Sequence, residues 1–380
     1  MKNLNLGRLK ILLAQNGIFL AMIIVALVFG AINPRFLSVG NLLTILQQIA
    51  ELGVLSFPVA FVVMMGCADM SVGSVASLAA VLGGTVMVRT HSIAFGIIAA
   101  LLFGFVAGLI NGLLVAYMQL NTFVVTLGFL SVWGGLAMFM TNGTTVTNLP
   151  MPFLMFGSTK VVGIPVQIII LAVVIAAAWY LLNRMAKGKE ILAIGGNRRA
   201  AYLMGLNVKR TQMLVLAFSG LFAALVGMLL TAKLGAASPS VGSGLELQAL
   251  TVVLLGGVAF EGGSGRISGV LAGLLFIGVL QNGLVILGVS AYLKTVFTGA
   301  VLVIAVMLDK SIQNIIKSAW KDVIAHKPGD AAQPAKETKE AVTDSEGSAA
   351  TAESSADSPA AVGTSADLPG SSLPAAAVSK

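Results

Sequence analysis

Three stretches place polar residues able to do chemistry between long apolar runs. In "GCADMSVGS", Gly66–Ser74, a carboxylate stands with two serines. In "LLGGVAFEGGSGRISG", Leu254–Gly269, Glu261 and Arg266 flank paired glycines. "EILAIGGNRRAAYLMGLNVKR", Glu190–Arg210, combines paired glycines, paired arginines and small residues at helical spacing. Asp69 and Ser71 suit the cap of a helix starting near residue 72, where a side-chain oxygen satisfies free amides and negative charge meets the positive end of the dipole. The same residues suit half-helices lining a polar route through a membrane. "EGGSGR" invites comparison with a phosphate cradle, but a P-loop needs Lys-Ser/Thr after its glycines and a strand before them; here Arg266-Ile267 follow. Cys67 is the only cysteine, and His91 and His326 lie far apart. That leaves no disulfide, no cysteine-built metal site and no nucleophile motif. No catalytic residue and no metal site are expected, and a membrane enzyme is disfavoured.

The elements that must position these residues are membrane helices. Of 380 residues, 57% are hydrophobic and 10% charged, with mean hydropathy +0.96; soluble domains carry about 25% charge. Apolar runs recur to about residue 310, so the fold class is an all-α polytopic membrane protein. About ten transmembrane helices are expected, near 13–33, 42–66, 72–88, 92–118, 121–141, 165–183, 211–234, 245–260, 267–289 and 292–310. The runs at 72–88 and 245–260 are short for a ~30 Å core, and Pro58 is expected to interrupt the second span. The first run is long for a signal-peptide core and lacks a small-x-small cleavage site, so it reads as an uncleaved span.

Net charge divides the chain. Residues 1–324 carry +12 and residues 325–380 carry −4. Ten spans with both termini in the cytoplasm put 18 basic residues inside and 5 outside, as the positive-inside rule requires. Nucleic acid is not needed to explain the basic excess. Residues 1–324 form the membrane domain, and the segment about 184–211 faces the cytoplasm. The Ala/Ser/Pro/Glu-rich tail, 325–380, holds too little apolar surface to offset chain entropy and is expected to be disordered.

Polar residues inside apolar runs usually face a bundle interior. Asp69, Ser71, Asn111, Thr126, Ser131, Trp133, Gln248 and Asn282 are therefore candidates for lining a polar-solute path, with helix–helix hydrogen bonding the alternative for each. Asn111-Gly112 and Asn282-Gly283 fall in helices of opposite direction, as an inverted duplication would place them. Asp69 and Glu261 are expected at cytoplasmic span ends, Glu51 and Glu246 near outer ones. So few ionisable groups near the midplane point to an energy source outside this chain.

With these motifs in this order, the chain resembles the permease subunit of bacterial ABC sugar importers of the ribose type, over residues 12–312. The resemblance rests on "DMSVGS" at 69–74, "AIGGNRRAAYLMG" at 193–205, "AKLGAASPSVGSGLELQAL" at 232–250 and "LLGGVAFEGGSGRISG" at 254–269. It implies that 184–211 is a coupling loop docking into a separate cytoplasmic ATPase subunit, through Gly195, Gly196, Asn197, Arg198, Arg199, Ala200, Ala201 and Gly205. Arg199 stands where the family pattern usually has an acid. Ala200, Ala201 and Gly205 are expected to form a small-residue face of a short helix. The resemblance further implies ATP and Mg bound by that partner, a second permease copy, an extracytoplasmic binding protein, and a place in the bacterial inner membrane. The solute would be a monosaccharide or polyol. The alternatives are a related permease for branched-chain amino acids or nucleosides, and an ion-coupled secondary transporter.

Overall fold

A computed structural model describes residues 2–290 and 292–307, with side chains from residue 17 on. The tail 325–380 and the basic residues from Lys310 onward lie outside the described residues. The chain is a bundle of α-helices: α1 (Lys2–Ile32), α2 (Val39–Gln48), α3 (Ala50–Met64), α4 (Val72–Thr90), α5 (Ile93–Ala116), α6 (Thr122–Thr141), α7 (Met151–Ser158), α8 (Val166–Arg184), α9 (Ala186–Gly196), α10 (Arg198–Leu203), α11 (Val208–Leu234), α12 (Leu245–Leu255) and α13 (Ile267–Ile286), then α14 (Tyr292–Met307). A two-residue hairpin, Lys160–Val161 with Ile164–Pro165, precedes α8.

Among the described residues six helices, α4, α5, α6, α8, α11 and α13, are long and apolar enough to cross a bilayer, and α2 with α3 makes a seventh if the bent pair is one span. The shorter apolar helices Gly17–Ile32, α12 and α14 fall where the other three spans were expected. The bend in the second span is not at Pro58. That proline lies inside a continuous α3, and the 48° bend falls at Ile49, between α2 and α3. Pro58 sits midway along a helix packed on every side, and α3 continues through it unbroken. At Ile49 a polar partner is available instead: Lys233 Nζ donates to the Gln47 carbonyl (3.2 Å) and to Glu51 Oε2 (2.9 Å). The cation meets the negative end of α2 and neutralises a carboxylate that is 2% exposed.

Every residue of α3 is buried, with α8, α11, α12 and α13 packed around it. Beside it α4, α5 and α11 pack closely enough that glycines form the contacts. Helices α5 and α11 run antiparallel, so Gly104 faces Gly220 and Ala224, Gly108 faces Leu216 and Ala217, and Gly112 faces Met213. A methyl group added at Gly112 would stand 2.7 Å from the Met213 carbonyl oxygen. Lipid tails give apolar faces no reason to associate, so close van der Waals packing of small residues carries this seam.

Gly108→Leu should therefore destabilise the bundle by about 3 kcal/mol or more, because backbone cannot yield as a side chain would. Gly17→Leu, where nothing lies within 4 Å, should be near neutral. Thermal unfolding in detergent micelles compares the two.

Candidate functional site

Between α3 and α4 the chain leaves helical geometry, and residues 67–71 cross the interior of the bundle. Asp69 organises this turn. Its Oδ1 accepts from the Ser71 amide (3.0 Å) and hydroxyl (2.6 Å), and its Oδ2 accepts from Ser219 Oγ on α11 (3.0 Å). Asn111 on α5 donates through Nδ2 to Ser71 Oγ (2.8 Å). Thr126 on α6 donates to the Ala68 carbonyl (3.1 Å) and accepts from the Met70 amide (3.1 Å). Gln212 Nε2 donates to Cys67 Sγ (3.2 Å). The turn is thus held by polar groups from three helices, all buried.

This arrangement corrects one expectation. Asp69 does not cap the free amides of α4, whose first residue follows Ser71 with no side-chain cap bond; it closes a local turn and ties it to α11. Ser219 lies eleven residues beyond the start of α11, about 16 Å along the helix axis, whereas Asn111 and Thr126 lie within about 8 Å of the end of α5 and the start of α6.

A second non-helical stretch enters the bundle from the other end. After α11 the chain pairs Ala237 with Val146, donating its amide at 2.9 Å and accepting at 3.0 Å, with Ala237 beside Gly84 of α4. Five residues later the Gly242 amide donates to Ser77 Oγ (2.9 Å), and Gly242 lies on the Gly73 carbonyl. Ala76 and Ser77 are about two turns below Gly84, so residues 237–242 descend on the order of 12 Å alongside α4. Helix α12 therefore begins inside the bundle. Glu246, expected near an outer end, is buried against Gly73, its Oε1 accepting from the Gly244 amide (3.2 Å) and its Oε2 without a hydrogen-bond partner. Ser240 and Ser243 of this stretch are exposed and Gln248 is half-buried.

The structure brings Asp69, Ser71, Asn111 and Thr126 into one network, and both non-helical stretches meet at the first turn of α4. It keeps the other candidates apart. Trp133 packs in an aromatic cluster, stacked on Phe129 (5.0 Å) and edge-on to Phe103 (5.5 Å), with Nε1 buried and unpartnered. Asn282 accepts from Asn41 Nδ2 (2.9 Å) and donates to Gln48 Oε1 (3.4 Å), which holds α2 against α13. For Asn282 the helix–helix alternative is the one observed. Ser219, Ser77 and Glu246 were missed as members of the site; each stands in a mostly apolar run, where a lone polar residue is the available signal.

The 184–211 segment folds as α9 and α10. Asn197 caps α10 by accepting from the Ala200 amide (2.9 Å). Ala201 points inward at 4% exposure, while Tyr202, Leu203 and Met204 stand out at 71%, 76% and 82%. The outward face is thus large and apolar, flanked by exposed Ala200, Arg198 and Arg199, and the expected small-residue face is only partly present. Helix α9 is tied to α11 by Glu190, which accepts from Thr211 Oγ1 and from Lys187 Nζ. Partial burial pushes the Glu190 carboxyl up, but the bonds from Lys187 and Thr211 and the Lys187 charge outweigh it and hold it below its ordinary value.

Two outcomes follow. Asp69→Ala strands the Ser71 amide and two hydroxyls in the interior and should cost about 3 kcal/mol, whereas Asp69→Asn keeps an acceptor and should cost about 1 kcal/mol; chemical denaturation in micelles measures both. The depressed Glu190 carboxyl means that the α9–α11 tie is fully present above the ordinary carboxyl range and is lost as pH falls through the lower folded value. Hydrogen exchange of α9 amides should rise in that acid window, and Glu190→Gln should remove the pH dependence.

Comparison with known proteins identifies the scaffold. The family model described as branched-chain amino acid transport system / permease component matches residues 41–306. The chain is 38% identical over 296 residues to the ribose import permease protein RbsC of Bacillus subtilis (strain 168), covering 77% of this chain and 92% of that protein. It is 34% identical over 298 residues to the D-allose transport system permease protein AlsC of Escherichia coli (strain K12), covering 78% and 91%. It is 32% identical over 303 residues to the L-arabinose ABC transporter permease protein AraH of Azospirillum brasilense, covering 80% and 89%. No solved structure gives a significant match. The chain belongs to the family of branched-chain amino acid transport system permease components.

Proposed function

We propose that this chain is the membrane permease subunit of an ATP-driven ABC importer and forms the translocation path for a monosaccharide. The observation that carries this reading is its similarity, over most of each protein's length, to permeases named for ribose, allose and arabinose. The chain is a multi-pass protein of the bacterial inner membrane, with ten spans and both termini in the cytoplasm. It performs no hydrolysis itself. ATP and Mg bind a separate ATPase subunit, a binding protein outside the membrane delivers the sugar, and a second permease copy completes the pathway.

Two features support a polar path. Non-helical backbone at membrane depth is tolerated where it is buried in protein or lines a water-filled cavity. The stretch 237–244 presents Ser240 and Ser243 on an exposed side, where hydroxyls can exchange hydrogen bonds with a sugar. Asp69, Ser71, Asn111 and Thr126 then hold the turn beside the path, and Gln248 borders it. Tight binding in the path would slow release, so selectivity falls mainly to the binding protein. A second reading, import of a branched-chain amino acid, is favoured by the description of the family model.

Docking onto the ATPase subunit assigns a role to the outward face of α10. Three consecutive large apolar side chains flanked by Arg198 and Arg199 fit an apolar cleft rimmed with carboxylates, and Gly195 to Gly205 form the coupling element. Conformational coupling requires that the docked states differ in their contacts with both partners.

Purification of the tagged chain from its native cells should bring down an ATPase subunit. Leu203→Asp with Met204→Asp should lower its recovery at least tenfold while leaving the unfolding temperature unchanged, because both side chains are exposed. Reconstituted with ATP and the loaded binding protein, the complex should take up D-ribose or another monosaccharide. Uptake of leucine instead would favour the second reading.

A further inference from the structure

The segments around Gly66, Gly195 and Gly262 meet at one point. The end of α3, the end of α9 and the turn between α12 and α13 come together backbone to backbone. The Gly263 amide donates to the Met64 carbonyl (2.8 Å). A methyl group at Gly195 would fall onto that same carbonyl oxygen and stand 2.5 Å from the Gly263 nitrogen. One at Gly262 would stand 2.5 Å from the Gly66 nitrogen, and one at Gly263 would stand 2.6 Å from the Gly196 α-carbon. Gly262 and Gly263 also have φ of +89° and +78°, which L side chains rarely adopt. Gly196 itself is different: a methyl group there would lie 3.8 Å from the Gly263 α-carbon, an ordinary contact.

Contacts between side chains can slip by changing rotamer; contacts between backbones cannot. With backbone against backbone at Gly195, Gly262 and Gly263, displacement of α9 is not absorbed there by a change of rotamer. Met64, whose carbonyl is the meeting point, is three residues before Cys67 and five before Asp69, so the end of α3 leads straight into the turn that Asp69 organises. We infer that Gly195 and Gly263 are positioning residues that transmit movement of the α9–α10 segment to the Asp69 turn, and so couple ATP hydrolysis to opening of the solute path. This inference rests on the permease reading above and names the internal route that reading requires.

The chain supplies its own reporter. Cys67, the only cysteine, is 6% exposed within the turn. In the purified complex with its ATPase subunit, trapping with ATP and vanadate should change the rate of Cys67 alkylation by N-ethylmaleimide at least fivefold, followed by peptide mass spectrometry. Gly195→Ala should abolish that change and reduce ribose uptake per ATP at least tenfold while ATP hydrolysis persists; Gly17→Ala, where nothing lies within 4 Å, should behave as wild type. A trapped wild-type complex with unchanged Cys67 reactivity would overturn the proposal, and so would a Gly195→Ala complex with the full response. If Gly195→Ala fails to assemble, Gly263→Ala tests the same contact from the other side, with the same loss of the alkylation change expected and the full response overturning the proposal; an unchanged wild-type Cys67 overturns it without any variant. A wild-type chain that recovers no ATPase would instead overturn the permease reading, and the proposal with it.

Discussion

A bilayer offers no partner to a backbone amide or carbonyl, so any break in a membrane helix must bring its own hydrogen bonds. That constraint organises this fold. The turn between α3 and α4 is possible because Asp69, Ser71, Asn111, Thr126 and Ser219 supply acceptors and donors from four elements. The break between α2 and α3 is possible because Lys233 reaches the Gln47 carbonyl. The descent from α11 to α12 is anchored by Ser77 at Gly242. In each case an irregular segment is bonded to a regular helix.

Glycine provides the complementary constraint. Where α4, α5 and α11 meet, small residues bring helix axes close and give the bundle a rigid face. Where α3, α9 and the α12–α13 turn meet, glycines bring irregular backbone together instead. The first use fixes the scaffold, and the second joins the ends of α3 and α9 to the α12–α13 turn. Both exploit the absence of a side chain, but only the second also requires positive φ, at Gly262 and Gly263.

The sequence made some of this legible. Long apolar runs mark the membrane helices because length and hydropathy are properties of the run itself. Asp69, Ser71, Asn111 and Thr126 stood out because polar groups in apolar runs are costly. What did not show was which of them meet. Asn111 and Asn282 have the same local context, Asn-Gly in an apolar helix, yet one binds Ser71 of the central turn and the other clamps α2 to α13. Their partners lie 40 and 241 residues away in sequence, and no local pattern carries that pairing. Glu246 was misplaced for a related reason: hydropathy reports that α12 is short, not that its first turn lies deep in the bundle. Pro58 misled because proline breaks isolated helices, whereas α3 is enclosed on all sides. The face of α10 was only partly legible, since its six residues are too few for periodicity to say which side is covered.

The face made by Tyr202, Leu203 and Met204 also bears on how such a chain must be made. A patch of three large apolar side chains in water is adhesive toward any exposed apolar surface, including other copies of itself. If an ATPase subunit docks on that face as proposed, a permease synthesised in excess of it would carry the patch uncovered. Matched synthesis of the subunits would then be a colloidal requirement as well as a stoichiometric one, and an orphan copy would be marked for aggregation or disposal by the surface that the docked subunit covers.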